Sequence, residues 1–327
     1  MTDLVDGFGR GHDTLRISVT DRCNLRCRYC MPEEGIDCQS RDELLSFEAI
    51  TRIVQIGRTL GIDRVRLTGG EPLVRRGIVD LVGMLRSEVD LADLALTTNG
   101  LLLPRKADDL AAAGLDRINV SLDSLDSVQY EQITRHGRLS RVMLGIQRAA
   151  EVGLRPIKVN TLVLEDFNDQ AFDSWIDLTR STSLTVRFME LMPIGEANDP
   201  SVRNRFVDLT EKREQLVDRY GLVPAEKQVG NGPARYWKIP EAPGKIGFIT
   251  PRSNPYCQSC SRLRLTSTGE LRPCLAFEKQ TQLPDDIVEA PREEIVEVFQ
   301  AAVAGKPKGH RWNEMQETPS DMAAIGG

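Results

Sequence analysis

The sequence predicts an α/β protein in which six parallel strands form a partial (β/α)6 TIM-like barrel, followed by a smaller α+β part. Over the first 220 or so residues, short apolar runs alternate with longer segments of helical periodicity. Strands joined by helical crossovers form a parallel sheet, and eight of them would close a barrel, whereas six indicate an open one. Residues 221–260 are instead rich in glycine and proline, which indicates loops and short strands.

The candidate strands are short and rich in Ile, Val, Leu or Thr, which is the composition typical of strands. They run from Thr14 to Val19, Arg64 to Thr68, Leu94 to Thr97, Arg117 to Ser121, Ile157 to Leu162 and Thr185 to Met189.

Helices are predicted between these strands, where apolar residues recur at one-turn spacing. Ser46 is a suitable N-cap for the first helix, which carries Ile50, Ile53 and Val54 on one side and ends near Gly61. The others run from Ile78 to Glu88, Pro104 to Ala113, Arg141 to Val152 and Asp169 to Arg180.

The C-terminal part follows a predicted helix from Thr210 to Tyr220. We place a domain boundary near residue 225, which gives domains of residues 1–225 and 226–327. Arg262 to Thr266 alternates polar and apolar residues, a turn follows at Thr268-Gly269, and the pattern resumes at Leu271, which predicts a hairpin. A last helix is predicted from Pro291 to Ala304.

Composition excludes several classes of protein. The chain has 327 residues, 28% of them charged, and a formal net charge of −6. No stretch approaches the ~18 consecutive apolar residues of a membrane-spanning helix, and the first residues carry no apolar run, so we expect a cytoplasmic protein. An acidic net charge argues against broad nucleic-acid binding, but it leaves room for a local basic pocket that takes a small anion.

Cysteine spacing is the most informative feature of the sequence. The chain has seven cysteines, and six of them form two groups of three near opposite ends: Cys23, Cys27 and Cys30, then Cys257, Cys260 and Cys274, with Cys38 left over. An odd number of thiols without an export signal does not suggest disulfides. Closely spaced thiols in a reducing compartment usually bind metal.

The first group has the spacing C-x3-C-x2-C in the loop after the first strand. Loops at the carboxyl ends of barrel strands build active sites. Three thiolates there can hold three irons of a four-iron cluster and leave one iron open to a small molecule. The alternatives are three buried thiols without a metal, or a structural zinc site completed by Cys38, since closed zinc sites normally have four ligands.

The second group has the spacing C-x2-C-x13-C, again with three thiolates and no histidine nearby in the sequence. The same reasoning predicts a second cluster with an open iron. Arg262 and Arg264 lie on one face of the strand that follows, because side chains alternate along a strand. Two guanidiniums there suit a phosphorylated ligand. The alternative is a zinc hairpin with two solvated arginines.

These motifs resemble the radical S-adenosylmethionine (SAM) family. Its signature is C-x3-C-x2-C with an aromatic residue, here Tyr29, before the third cysteine, and Gly69-Gly70-Glu71-Pro72 follows the second strand as in that family. The resemblance implies that the open iron binds the amino and carboxylate groups of SAM. We expect the two glycines to let the backbone approach the methionine end of SAM closely.

The whole pattern is similar to one branch of this family, the enzymes that cyclise GTP in the first step of molybdenum cofactor biosynthesis. The likeness covers nearly the full chain: TLRIS at 14–18, TGGEPL at 68–73, TTNG at 97–100, the C-terminal CxxCxRLRLTxxGxLxxCL run and the terminal double glycine. It implies a radical SAM core and a C-terminal domain that covers the barrel opening, carries a cluster and binds GTP.

The activity implied by this resemblance is conversion of GTP to (8S)-3′,8-cyclo-7,8-dihydroguanosine 5′-triphosphate. A 5′-deoxyadenosyl radical would remove the hydrogen at C3′ of GTP, and the resulting radical would attack C8 of guanine. The implied cofactors are two [4Fe–4S] clusters and SAM. The implied partners are GTP, a reducing electron donor, a second copy of the chain, and cyclic pyranopterin monophosphate synthase as the downstream enzyme; no nucleic acid or membrane is expected.

The resemblance also implies roles for single residues. The SAM contacts would be Tyr29, Gly70, Ser121 and Met192. The GTP contacts would be Arg16, Arg66, Thr97, Lys158, Arg262, Leu263 and Arg264. The tail residues Gly326 and Gly327 would enter the active site and be needed for catalysis. Cys38 matches no motif, and we expect a free thiol.

Two other functions remain open from the sequence. One is a radical SAM enzyme with a second cluster that acts on a peptide. The other is a non-enzymatic zinc-binding scaffold.

Overall fold

The computed structural model of the chain describes residues 4–226, 232–314, 317–320 and 322–326. The first elements alternate strands and helices: β1 (Thr14–Ser18), α1 (Phe47–Thr59), β2 (Arg64–Thr68), α2 (Ile78–Glu88), β3 (Asp93–Thr98), α3 (Leu103–Ala112), β4 (Arg117–Ser121), α4 (Ser127–Thr134), α5 (Leu139–Glu151), β5 (Lys158–Leu162), α6 (Phe172–Ser181) and β6 (Thr185–Met189). The later elements are α7 (Pro200–Arg203), α8 (Leu209–Tyr220), β7 (Val223–Ala225), β8 (Arg235–Lys238), β9 (Lys245–Ile249), β10 (Arg262–Leu265), β11 (Glu270–Arg272), β12 (Thr281–Gln282) and α9 (Arg292–Ala304).

The strands β1 to β6 are parallel neighbours in one sheet. Each has bounds within one residue of the predicted ones. The predicted partial TIM-like barrel is therefore confirmed. The predicted hairpin is also present, because β10 pairs antiparallel with β11.

The C-terminal part extends this sheet at both edges. β10 pairs parallel with β1, and β9 pairs parallel with β6. Among the described residues the strand order is β12-β11-β10-β1-β2-β3-β4-β5-β6-β9-β8-β7. The C-terminal part was expected to cover the barrel opening. It also adds strands to both edges of the barrel sheet. The domain boundary near residue 225 falls at the end of β7 and stays a prediction.

Alternation along the strands separates the core from the interior of the barrel. In β1, Leu15 and Ile17 are fully buried in the hydrophobic core, and in β2 Val65 and Leu67 are buried in the same core. The residues between them, including Arg16, point to the opposite face. The barrel strands therefore direct polar and charged side chains inward, where a ligand can be bound.

The helices lie close to their predicted positions. Ser46 caps α1 as predicted, because its hydroxyl accepts a hydrogen bond from Ala49 N at 3.1 Å. One helix, α4, was not predicted, since its eight residues carry little apolar periodicity; Asp126 caps it by accepting from Gln129 N at 2.7 Å. No helix in the described ranges is both long and apolar enough to span a membrane.

Candidate active site

Three arginines lie side by side on three neighbouring strands. Arg16 of β1 is in register with Arg264 of β10 on one side and with Arg66 of β2 on the other. All three line one central cavity. Burial, together with the neighbouring arginines, lowers the pKa of Arg66 to about 9 and that of Arg264 to about 10, and it lowers the pKa of Arg16 well below its usual value. The strand register therefore concentrates positive charge at this point.

The cavity offers more cationic donors than the protein itself uses. Arg187 of β6 also lines it and donates from Nη2 to Asn119 Oδ1 at 3.1 Å. The Nε atoms of Arg66 and Arg187 are buried with no hydrogen-bond partner among the described residues. Asp93 lines the cavity too, but Arg117 binds its carboxylate through Nε at 2.7 Å and Nη2 at 2.5 Å. This arrangement suits a ligand with several negative charges.

The first cysteine group lines a chamber next to this cavity. Cys23, Cys27 and Cys30 share the chamber with Gly70 and Ser121. The loop is closed by hydrogen bonds from Cys30 N to Cys27 O at 2.9 Å and from Leu25 N to Cys23 Sγ at 3.4 Å. Burial raises the pKa of the Cys27 thiol well above its usual value, and the other two thiols add to this effect. Thiolates here need a compensating cation, as a metal centre provides.

The two glycines of the second loop make a close contact within the protein, in addition to the expected approach to SAM, which stays a prediction. A Cβ on Gly70 would lie 2.4 Å from Arg22 O, and a Cβ on Gly69, whose φ is +147°, would lie 2.3 Å from Thr20 O. Gly70 N donates to Thr20 O at 2.7 Å. These glycines therefore let the loop after β2 pack directly against the start of the cysteine loop after β1, rather than only against a ligand.

Glu71, which follows these glycines, joins this loop to the next strand. Its side chain is buried and accepts from Thr98 Oγ1 at 2.8 Å, Asn99 N at 2.6 Å and Leu73 N at 2.9 Å. Burial raises its pKa to about 7, although these hydrogen bonds oppose the shift. Sequence reasoning assigned no role to Glu71 beyond the motif.

Tyr29 forms a hydrogen bond with the buried carboxylate of Asp123, a residue to which the sequence assigned no role. Its hydroxyl donates to Asp123 Oδ2 at 2.7 Å, and Leu162 N donates to Asp123 Oδ1 at 2.9 Å. Burial raises the pKa of Asp123 to about 6, partly offset by these two hydrogen bonds. The only sequence signal was a single Asp two residues after the predicted strand that ends at Ser121.

The second cysteine group lines another chamber that borders the central cavity. Cys257, Cys260 and Cys274 lie there with Arg262 and Lys306. Arg262 Nη2 lies 3.6 Å from Cys260 Sγ. Burial raises the pKa of the Cys260 thiol, but the Arg262 and Lys306 charges outweigh this and lower it to about 6. Nearby cations thus favour the thiolate, the form that binds metal.

One histidine that is distant from these cysteines in the sequence also lines this second chamber. His310 lines it, but its Nε2 lies 2.6 Å from Pro251 O, and its Nδ1 lies 3.4 Å from Trp312 N. Both ring nitrogens are therefore engaged with the backbone. Within the described ranges, no three His, Cys, Asp or Glu side chains are placed to hold a single metal ion. The donor set is two trios of thiols, which suits clusters of several irons.

The central cavity joins the two chambers. Tyr29, Thr97 and Ser121 line both the first chamber and the central cavity. Met192, Arg262 and Arg264 line both the second chamber and the central cavity. A ligand in the central cavity would thus border both chambers that contain cysteines.

Comparison with known proteins agrees with this geometry. The family model of the Radical SAM superfamily matches residues 17–179, and that of Molybdenum Cofactor Synthesis C matches residues 184–312. The GTP 3′,8-cyclase of Petrotoga mobilis is 45% identical over 99% of this chain and 100% of its own length. The GTP 3′,8-cyclase of Alkaliphilus oremlandii is 44% identical over the same shares. The chain belongs to the GTP 3′,8-cyclase family.

Solved structures support the fold of this GTP 3′,8-cyclase family member. SuiB of Streptococcus suis bound to the precursor peptide SuiA matches with a TM-score of 0.64 and 16% identity, covering 96% of this chain and 76% of SuiB. Native anSMEcpe with bound AdoMet matches with a TM-score of 0.54 and 15% identity, covering 95% of this chain and 92% of that one. As a radical SAM protein, the chain uses SAM and an iron–sulfur cluster.

Most residues that the family resemblance assigned to ligands lie at the cavities. The exceptions among the GTP residues are Lys158 and Leu263. Lys158 is buried outside the cavity lining, and burial with nearby Arg117 and Arg187 lowers its pKa to about 6. The Leu263 side chain is fully buried in the hydrophobic core, so only its backbone could reach a ligand.

The C-terminal tail of this family member reaches the barrel. Gly326 is buried, its carbonyl accepts a hydrogen bond from Arg264 Nη1, and a Cβ on it would lie 3.0 Å from Thr68 Cγ2. Gly327 lies outside the described residues. Cys38 is exposed and lines none of the three cavities, and its expected role as a free thiol stays a prediction.

Proposed function

We propose that this chain is a radical SAM GTP 3′,8-cyclase, a lyase that converts GTP to (8S)-3′,8-cyclo-7,8-dihydroguanosine 5′-triphosphate in the first step of molybdenum cofactor biosynthesis. The observation that carries the proposal is the central cavity, which has in-register arginines on its wall and shares lining residues with two chambers that each contain a cysteine trio. The full-length likeness to named GTP 3′,8-cyclases supports the same substrate.

The two cysteine groups have different roles in this proposal. When bound, a reduced [4Fe–4S] cluster on Cys23, Cys27 and Cys30 supplies the electron that splits SAM into methionine and a 5′-deoxyadenosyl radical. Cys257, Cys260 and Cys274 would hold a second [4Fe–4S] cluster, which would offer an open iron to the guanine base. Three cysteines line each chamber, one fewer than the four irons of such a cluster, and this supports an open iron in each.

SAM binds in the first chamber. Gly70 and Ser121 line this chamber beside the cysteines, and Tyr29 forms its border with the central cavity. The hydrogen bond from Tyr29 to Asp123 fixes the ring in place. Met192 lies toward the second chamber, so its proposed SAM contact would be made from the far side of the central cavity.

GTP binds in the central cavity. Its triphosphate carries several negative charges, and Arg16, Arg66 and Arg264 offer guanidiniums from three adjacent strands. Arg262 and Thr97 line the same space. Lys158 is proposed as a further GTP contact on the family resemblance; its buried side chain lies outside the cavity lining.

The tail closes the site. Gly326 packs against Ser18 and Thr68 at the carboxyl ends of β1 and β2, and its carbonyl accepts a hydrogen bond from Arg264. The tail therefore narrows the access of water to the cavity, which protects a radical intermediate from side reactions. Gly326 is proposed as a catalytic tail residue on this basis and on the family resemblance, and Gly327 on the resemblance alone.

The proposal is tested with the reconstituted full chain under anaerobic conditions. SAM and dithionite are added with GTP, with ITP or without nucleotide, and 5′-deoxyadenosine is measured by chromatography. We expect 5′-deoxyadenosine to form with GTP and the cyclised triphosphate to appear at the mass of GTP. Formation of 5′-deoxyadenosine at the same rate without GTP would contradict the proposal.

The same preparation separates the two alternatives. A peptide-modifying enzyme would bind a peptide and not GTP in anaerobic calorimetry. A zinc scaffold would be colourless and contain zinc in place of iron. A reducing electron donor, a homodimer and cyclic pyranopterin monophosphate synthase as the enzyme that uses the product are proposed partners of the same activity.

A further inference from the structure

Two buried cations next to the second chamber have no role in the proposed GTP site. Arg10 is 8% exposed and Lys306 is 5% exposed, and both line the second chamber with the cysteines. Neither lines the central cavity. Both are directed at backbone carbonyl groups of the segments that carry the cysteines.

Arg10 holds the segment that begins the second cysteine group. Its Nη1 donates to Cys257 O at 2.7 Å and to Lys308 O at 3.1 Å, and its Nη2 donates to Pro307 O at 2.6 Å. Because the guanidinium is planar and rigid, these contacts fix the first cysteine relative to residues 307 and 308.

Asp6 orients this guanidinium. Its Oδ2 accepts from Arg10 Nε at 2.6 Å, and its Oδ1 accepts from the backbone N of Arg10 at 3.0 Å. Val5 and Gly11 pair in an isolated β-bridge that closes the segment into a hook. The N-terminal segment is thus folded to present Arg10 to a loop that lies 247 residues further along the chain.

Lys306 holds the other two cysteine-bearing segments. Its Nζ donates to Arg262 O at 2.5 Å and to Pro273 O at 2.8 Å. Pro273 immediately precedes Cys274, and Arg262 follows Cys260 by two residues. One ammonium group therefore joins the two backbone segments, and its charge also acts on the thiols of Cys260 and Cys274.

We propose that Arg10 and Lys306 are positioning residues that hold the three backbone segments of the second cysteine trio at the spacing a cluster requires. This inference rests on the second cluster of the proposed function. Burying two cations is unfavourable unless they are fully hydrogen-bonded. If these positions served only to fill space, apolar side chains would do so at lower cost. Both side chains bind backbone carbonyl groups next to the cysteines. They can therefore fix the shape of the chamber and leave the thiols free to bind metal.

The test measures the second cluster separately from the first. In the full-length chain, Cys23, Cys27 and Cys30 are changed to Ala, so that bound iron after anaerobic reconstitution reports only the second trio. In this background we compare Arg10→Lys, Lys306→Met and Lys306→Arg. Iron and sulfide per chain, the rate of iron loss to a chelator and the EPR spectrum of the reduced cluster are recorded.

We expect the parent background to hold about four irons per chain. Arg10→Lys and Lys306→Met should lose iron to the chelator about tenfold faster, with a changed EPR spectrum, as is usual when the support of a metal ligand is removed. Lys306→Arg keeps a charged donor and should recover part of the loss. Arg86→Lys is the matched control, because Arg86 also donates to backbone carbonyls, those of Gly114 and Leu91, in another part of the barrel.

A reciprocal background separates positioning from general stability. When Cys257, Cys260 and Cys274 are changed to Ala, Arg10→Lys and Lys306→Met should leave the iron content of the first trio unchanged. Iron retention equal to the parent in both variants would overturn the inference while leaving the proposed function intact. Loss of iron from the first trio, or failure of both variants to fold when Arg86→Lys folds, would also overturn it. Absence of iron in the parent background would instead contradict the second cluster of the proposed function.

Discussion

Arg66 projects from β2 into the central cavity beside Arg16, and its Nε atom is buried without a hydrogen-bond partner among the described residues. A buried donor left unsatisfied is unfavourable, and an anionic ligand would satisfy it. Burial and the neighbouring arginines lower its pKa to about 9, which still leaves the guanidinium charged at neutral pH. At the scale of single residues, we therefore propose Arg66 as a phosphate contact to be tested by substitution.

Arg66→Ala should weaken GTP binding with no loss of iron. A hydrogen bond to a charged group contributes about 1.5–3 kcal/mol, so the Kd should rise roughly ten- to a hundredfold. Anaerobic calorimetry measures the Kd, and iron analysis checks the clusters. Arg148→Ala is the control, because Arg148 forms an exposed ion pair with Asp108, outside the cavity. Equal affinity in Arg66→Ala and the parent would show that Arg66 does not bind GTP.

The pair of Tyr29 and Asp123 predicts a pH dependence of stability. Burial raises the pKa of Asp123 to about 6 from 3.8, so between these values the folded protein keeps a proton that the unfolded chain has released. The free energy of unfolding should therefore fall as pH rises through this window, by up to about 3 kcal/mol. Above pH 6 the full destabilisation from the buried, ionised Asp123 carboxylate is present.

Asp123→Asn should remove this contribution, since an amide does not ionise. Denaturant unfolding of the metal-free chain at pH 4.5 to 7.5 should show the variant gaining stability relative to the parent as pH rises. Asp90→Asn is the control, because the Asp90 side chain is 96% exposed. Parallel pH profiles for Asp123→Asn and the parent would contradict the assignment.

The loops after β1 and β2 act together at the scale of elements. Gly70 N donates to Thr20 O, and Glu71 N donates to Arg22 O at 2.8 Å. The second loop therefore supports the start of the cysteine loop along its backbone. Glu71 extends this support to Thr98 and Asn99 after β3. Three successive strand ends are thus joined by hydrogen bonds beneath the first cysteine trio.

Gly70→Ala should disrupt this support. The new Cβ would lie 2.4 to 2.7 Å from backbone atoms of Asp21 and Arg22, so one loop must move. Overpacking of this kind costs typically 1–3 kcal/mol, and the first trio should hold less iron after reconstitution. Thermal unfolding and iron analysis measure the two effects.

Gly83→Ala is the matched control for this substitution. Gly83 lies inside α2, and a Cβ there would meet no atom within 4 Å. Alanine in a helix should leave iron binding unchanged and raise stability by roughly 0.5–1 kcal/mol. Iron content in Gly70→Ala equal to that of Gly83→Ala would contradict the role of the loop contact.

Sequence reasoning predicted the six barrel strands because their composition and spacing are local properties. The in-register placement of Arg16, Arg66 and Arg264 required the pairing of β10 with β1, which joins residues about 250 positions apart. No local pattern carries that information. The partners Asp123 and Lys306 were missed for the same reason, since each contacts residues distant in the sequence.

At the scale of the whole molecule, segments near both ends of the chain contact the barrel or the second cysteine loop. Arg10 contacts the second cysteine loop, β10 pairs with β1, and Gly326 packs against Ser18. The motifs near opposite ends of the sequence are thereby placed around one cavity. The cysteine spacing predicted two metal groups, whereas their separation by a single arginine-lined cavity is visible only in the fold.

The most direct test of this arrangement is transfer of hydrogen from GTP to the 5′-deoxyadenosyl radical, which gives 5′-deoxyadenosine. The reconstituted chain is incubated anaerobically with SAM, dithionite and GTP that carries deuterium at C3′, and 5′-deoxyadenosine is analysed by mass spectrometry. A radical formed at the first trio with GTP held beside the second should give 5′-deoxyadenosine that contains one deuterium. Unlabelled 5′-deoxyadenosine formed in the presence of this GTP would contradict it.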